Sequence, residues 1–343
     1  MVTVSVLTSK EPTRRTDEET VADEKTEETH AESQVSNNTS HSSEGRDTIF
    51  YTNSDGIFAY DLDSKTHRQV YSSKAIRYAK ASPDGTKVAF YLTDDALPWI
   101  IYSDGTGLRR LLDSSLIPSG DLGEKRTGSL NWSSDSNSVY FLADAGGQVH
   151  GQLWRANVDG SNTMAVRPQM ASVAVSTWGD CYAYLVRNDA GSGWHYELQF
   201  KRNEVQRTIK RYGDYEDPDV VFFLSHDGRK LLMCETQRFA VIDTSTGTTL
   251  LSGEIYGAYA AAWSPDDKYM AFGVRGKGQG KDGIHIYDVQ AQSFIEYIHI
   301  PGGVESLSWT RKSSNEAVEI ERVVRASSIG SLEKAWYSFG VVS

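Results

Sequence analysis

Apolar positions between residues 257 and 300 fall into four short runs separated by polar or glycine-rich breaks. Residues Ala258 to Trp263 are small and apolar, as expected of a strand squeezed on both faces. The SPDD that follows is a tight turn: Pro265 presets a backbone angle, and Ser264 and Asp266 bond their own backbone. Residues 268–274 alternate apolar and polar with the period of a half-buried strand. A glycine-rich loop, RGKGQGKDG, leads to a third run at 284–288, and a short turn leads to a fourth at 294–298. The pattern predicts four antiparallel strands.

The same unit recurs along the chain. Its turn returns as SPDG at Ser82, SSDS at Ser133, a degenerate STWGD at Ser176, SHDG at Ser225 and SPDD at Ser264, while TRKSSN follows Trp309. Start-to-start spacings run from 39 (225 to 264) to 51 (82 to 133). The third run returns six times, as GIFAYDLDSKT, WIIYSDGTG, QLWRANVDGSN, WHYELQFKRNE, RFAVIDTSTGT and GIHIYDVQAQS. Four-stranded repeats of about 40–50 residues build propellers, so the expected fold is all-β, a six-bladed β-propeller.

Two copies, Ala81-Ser-Pro-Asp-Gly-Thr-Lys-Val-Ala-Phe90 and Trp263-Ser-Pro-Asp-Asp-Lys-Tyr-Met-Ala-Phe272, resemble the WSPDG-type repeat of TolB-like six-bladed propellers. The resemblance covers residues 47–310. It implies the fold and leaves function open, because such blades serve envelope proteins, secreted binding proteins and the propeller domains of oligopeptidases. The chain departs from that pattern in blade three, which lacks the SPDG turn, and in carrying no counterpart of the additional α/β domain of TolB. The turns also resemble the Asp-box of sialidases, itself a structural device.

Blades are expected at 76–112, 128–166, 171–209, 219–251 and 257–300. Residues 48–52, 57–61 and 67–72 read as the last three strands of a sixth blade, whose first strand is expected at 304–309. Pairing the two ends of the chain would close the ring and remove its exposed edges. Residues 311–343 form a C-terminal extension, with strand-like runs at 317–324 and 336–342.

Composition changes the picture mainly at the N-terminus. The chain has a net charge of −11, and residues 1–46 hold ten acids against five bases. This Ser/Thr/Glu-rich leader has too little apolar surface to offset its ordering entropy and is expected to be disordered. It reads as a solvated linker or, alternatively, as a tether behind a membrane anchor preceding Met1; MVTVSVLTSK lacks the basic and apolar regions of a signal peptide. The acidic balance disfavours nucleic acid and anionic membrane as partners. No run reaches the ~18–20 apolar residues of a membrane span. The expected location is extracytoplasmic, in a bacterial cell envelope, tethered or secreted, with the cytoplasm as alternative.

Chemistry-bearing motifs are sparse. Cys181 and Cys234 sit in apolar runs on second strands of neighbouring blades and read as small buried hydrophobes. No nucleophile elbow, metalloprotease helix, Walker loop or Rossmann fingerprint occurs, and the glycine-rich GKGQGK at 276–281 joins strand to strand. Asp94, Asp95, Asp214, Glu216, Asp217 and Asp219 read as solvated loop charges, and His285 and His299 as structural. No catalytic, cofactor or metal site is therefore expected.

Function is expected where loops are long. In such a blade the first-to-second and third-to-fourth turns share one face, and here they are tight: SPDG, SHDG, STGT, VDGSN. The opposite face carries the long connections at 113–127, 143–152, 187–194, 210–219 and 275–283. They bring Arg187, Arg275, Lys277 and Lys281 together with Trp194, Tyr212 and Tyr215, aromatic anchors of the kind enriched at interfaces. The leading expectation is a non-catalytic module that binds a protein, peptide or glycan, acidic by preference, at this face. The alternative is a substrate gate or accessory propeller of an oligopeptidase-like hydrolase, or a divergent glycan-cleaving propeller.

Overall fold

The computed structural model describes residues 47–93, 95–113, 130–143, 151–170, 172–175, 181–190, 193–214, 220–235, 237–276 and 281–311. The leader and the C-terminal extension, with its two strand-like runs, lie outside the described residues.

Blade six opens the chain with β1 (Asp47–Asn53), β2 (Gly56–Asp61) and β3 (Thr66–Ser72). Blade one follows as β4 (Ile76–Ala81), β5 (Lys87–Leu92), β6 (Asp95–Tyr102) and β7 (Arg109–Arg110). Blade two is β8 (Leu130–Trp132), β9 (Ser138–Ala143), β10 (Gly151–Asn157) and β11 (Met164–Met170). Blade three is β12 (Ser172–Val175), β13 (Cys181–Ala190), β14 (Gly193–Arg202) and β15 (Val205–Arg211). Blade four is β16 (Val220–Leu224), β17 (Lys230–Glu235), β18 (Arg238–Asp243) and β19 (Thr249–Glu254). Blade five is β20 (Ala258–Trp263), β21 (Tyr269–Val274), β22 (Gly283–Asp288) and β23 (Ser293–His299). The last strand, β24 (Ser306–Arg311), returns to blade six, whose order is β24-β1-β2-β3. All six are four-stranded antiparallel sheets, as the repeats predict. The closing strand runs two residues later than expected, because its register places Trp309 opposite Ile49 and Arg311 opposite Asp47.

Burial explains why the blades form a ring. The apolar clusters each bridge two consecutive blades: Phe50 and Ile57 of blade six join Val88 and Phe90 of blade one. Tyr91 of blade one meets Phe141 of blade two, Leu198 of blade three meets Leu231 of blade four, and Ile284 of blade five meets Leu307 of blade six. Fully buried side chains such as Phe90, Phe141 and Phe272 each contribute roughly 2–3 kcal/mol of transfer from water. A single four-stranded sheet could not hide both faces, so each blade needs two neighbours.

The repeated turns are built from their sequence. In each, the serine hydroxyl donates to the aspartate two residues on: Ser82 to Asp84, Ser133 to Asp135 (2.5 Å), Ser225 to Asp227 and Ser264 to Asp266 (both 2.7 Å). The same hydroxyl accepts the amide five residues on, at 3.0 Å from Lys87 and 2.9 Å from Ser138, Lys230 and Tyr269. The fourth position is left-handed in all four, held by Gly85, Ser136, Gly228 and Asp267.

Turns also join to turns. The Asp84 amide donates to the Ser136 hydroxyl at 3.1 Å, and the amides of His226 and Asp227 donate to the Asp267 carboxylate at 2.9 and 3.1 Å. Indoles do the same one layer in: Trp132 Nε1 donates to the Lys80 carbonyl (2.8 Å) and Trp263 Nε1 to the Phe223 carbonyl (3.0 Å). On the tight-turn face blade one is thus bonded to blade two, and blade four to blade five.

Candidate binding site at the channel mouth

First strands of the blades surround a central lumen of about 330 Å³. The position two residues before the opening residue of each turn faces it in five blades, as Lys80, Asn131, Phe223, Ala262 and Ser308. Nearer the loop-rich face, Tyr78, Val221, Tyr259 and Glu305 complete the wall.

The rim on the loop-rich face is formed by another equivalent position, four residues before the end of the aligned first strand. Arg77 holds it in blade one, Tyr259 in blade five and Glu305 in blade six, three consecutive blades. At Arg77 and Tyr259 the register slips between their neighbours, a bulge that takes the side chain out of the alternation. Tyr259 is consequently 51% exposed although it lies in an otherwise buried strand. Arg275 pairs with Glu305 at 2.8 Å across the boundary between blades five and six. Its stem rests on Gly303, where a Cβ would come within 2.8 Å of it.

The residues expected from sequence are distributed as follows. Arg187 lies over the Trp194 indole, 4.8 Å from the ring centre, and both are half-buried on blade three. The stretch 187–194, expected as a long loop, is mostly paired strand: Arg187 faces Tyr196, Asp189 faces Trp194 and Ala190 faces Gly193. Tyr212 is not an exposed anchor. It continues the sheet past β15 by donating its amide to the Tyr196 carbonyl (2.9 Å), which turns its ring into the core between blades three and four at 6% exposure. Lys281 is exposed, with its ammonium 5.6 Å from the ring of Tyr297 on β23, the outermost strand of blade five. It therefore belongs to the outer edge rather than the lumen. Tyr215 and Lys277 lie outside the described residues. Blade four separates the Arg187–Trp194 pair from Arg275.

Sequence reading missed Lys80, Tyr259 and Glu305. For Lys80 and Tyr259 the signal was present as a charge where aligned strands carry uncharged residues, and as a tyrosine inside AYAAAW. Lys80 is half-buried, and its ammonium donates to the Leu307 carbonyl at 2.7 Å. It also lies 4.9 Å from the Phe223 ring and 5.9 Å from that of Tyr78. The lumen leaves it little water, and this burial pushes the ammonium down to about 8.

Among the described residues no group of three His, Cys, Asp or Glu could hold a metal ion, and no helix is long and apolar enough to cross a membrane. Cys181 and Cys234 are both buried free thiols.

No family model and no curated protein matches the chain. Solved structures do. A chain of a nidogen/laminin complex superposes with a TM-score of 0.58 at 8% identity, covering 78% of this chain and 99% of that one. A putative TolB from Agrobacterium tumefaciens gives 0.50 at 12% identity, covering 76% and 93%. Hydrazine synthase from Kuenenia stuttgartiensis gives 0.47 at 14%, covering 76% and 86%. Identities this low speak to the backbone alone; the six four-stranded sheets and their closing order, with the superpositions at 0.58 and 0.50, establish that the chain is a six-bladed β-propeller.

Proposed function

We propose that this propeller is a non-catalytic recognition module, taking an acidic protein, peptide or glycan at the loop-rich mouth of its channel. The observation that carries the reading is the contrast between its two faces. Serine and aspartate side chains of the turns, such as Ser136 and Asp267, are taken up in internal hydrogen bonds. The opposite rim presents an exposed tyrosine, Tyr259, between the Arg275–Glu305 pair and blade four. Exposed aromatic and arginine side chains at the edge of a concavity are the usual anchors of recognition. Arg187 with Trp194, and Lys281 at the outer edge of blade five, add positive charge, and the sequence supplies Lys277 as a further candidate.

A site of this kind is consistent with a tethered or secreted envelope protein. The test is a pull-down from native extract followed by crosslink mapping, comparing wild type with Tyr259→Ala and Arg275→Ala. The reading expects both variants to lose the captured species and the crosslinks to fall on the loop-rich rim. Crosslinks confined to the turns around Asp84, Asp227 and Asp266 would overturn it.

A further inference from the structure

We propose that the lumen is a pocket for one small molecule bearing a single carboxylate on an apolar body, with Lys80 as the group that holds the carboxylate. This does not depend on what binds the rim.

The cavity of about 330 Å³ is at the lower end of small-ligand pockets and has their character. Its upper wall is largely apolar and aromatic, from Tyr78, Val221 and Tyr259, and at the level below Lys80, Asn131 and Ser308 occupy equivalent positions beside Phe223. The fold itself does not require a charge there, since alanine, serine, asparagine and phenylalanine fill that position in other blades. A lone ammonium in a narrow lumen is costly unless something offsets it. Among the described residues no carboxylate pairs with Lys80: its polar contact is one backbone carbonyl, Leu307, leaving ammonium donors for a ligand. Glu305, the carboxylate on the lumen wall, is already held by Arg275 and does not compete. Rings of Phe223 and Tyr78 flank the ammonium, so the apolar body of a ligand has somewhere to lie.

Other titratable groups facing the lumen are Tyr78 on the same strand, Tyr259 on blade five, Glu305 on blade six and His226 at the far end, bonded to Asp267 at 3.0 Å.

The experiment is calorimetric titration of the full chain at pH 7 with phenylacetate, 4-phenylbutyrate, indole-3-acetate and octanoate, each beside its neutral primary amide. At least one carboxylate is expected to saturate, with its amide and the Lys80→Met variant each about tenfold weaker or worse, the worth of one charge-assisted bond. Binding should fade as pH rises past about 8, when Lys80 loses its proton. Should Lys80→Met fail to fold, acetylation of Lys80 in the wild type is followed by mass spectrometry, and the bound carboxylate must slow it. No saturation by any of the four acids, equal affinity for acid and amide, or unchanged acetylation would overturn the proposal.

Discussion

The guanidinium of Arg311 grips both carboxylate oxygens of Asp47, at 2.5 and 2.9 Å, across 264 positions of sequence. The Trp309 indole reaches the same carboxylate at 3.3 Å, and the hydroxyls of Thr52 and Ser306 meet at 2.7 Å further along the seam. Arg311 also approaches Asp266 of blade five at 3.9 Å. One residue thus ties the closing strand to its own blade and to the neighbouring one.

Deleting residues 304–343 removes this seam and leaves β1 as an open edge. Thermal unfolding should shift sharply downward, with aggregation. The milder Asp47→Ala should cost about 1–2 kcal/mol, because it removes two charge-assisted bonds from a partly buried guanidinium. Unchanged melting after the deletion would mean that the ring is held closed elsewhere.

The turn aspartates set the acid limit of the fold. Asp135 lies below the usual carboxylate range, chiefly because the Ser133 hydroxyl bonds it. At Asp84, Asp227 and Asp266 burial by itself pushes upward, but hydroxyl and amide bonds within each turn outweigh it and all three fall below their ordinary value. A carboxylate lowered in the folded state contributes stability above its unfolded value, near 4, and loses it as pH falls toward the folded one. Melting temperature should therefore drop as pH falls below about 4, and Asp227→Asn should flatten that drop. An acid profile identical in the variant would contradict this account.

Two left-handed glycines separate strain from collision. Gly247 (φ +77°) has open space where a Cβ would go, so Gly247→Ala should cost only about 1 kcal/mol of backbone strain. Gly228 (φ +67°) would place its Cβ 2.6 Å from the Cys181 sulfur, so Gly228→Ala should cost clearly more. Urea titration of both measures the difference, and equal midpoints would show that Cys181 moves aside freely.

Lys80→Met is expected to raise stability at pH 7, since it removes a poorly solvated charge while keeping the stem that packs on Phe223. In the wild type the unfolded chain binds more protons at Lys80 between about 8 and the ordinary 10.5, so this residue makes stability climb with pH across that window. The variant should lack that climb. A destabilised, folded Lys80→Met would make the lysine a structural element instead.

Alanine at Tyr259 or Trp194, or at the sequence candidate Tyr215, should weaken the partner, and charge reversal at the sequence candidate Lys277 should slow association, an effect fading with salt. Stopped-flow rates at two ionic strengths test the last point. Salt-independent rates would remove the electrostatic part of the reading.

Blade count, strand order and ring closure were legible in the residues because they rest on local physics. Period-2 alternation marks each strand, and a serine with an aspartate two residues on builds its turn from its own atoms, as at Ser225 and Asp227. The fate of 187–190 was not legible, since pairing across a hairpin is set by backbone register, which side-chain polarity does not report. Tyr212 looks like a loop anchor until blade four supplies the wall it packs against. Lys80 and Tyr259 lie 179 positions apart (80 to 259) and share one lumen. Only the closed ring brings their strands together, because which first-strand residues face the axis depends on where all six blades meet.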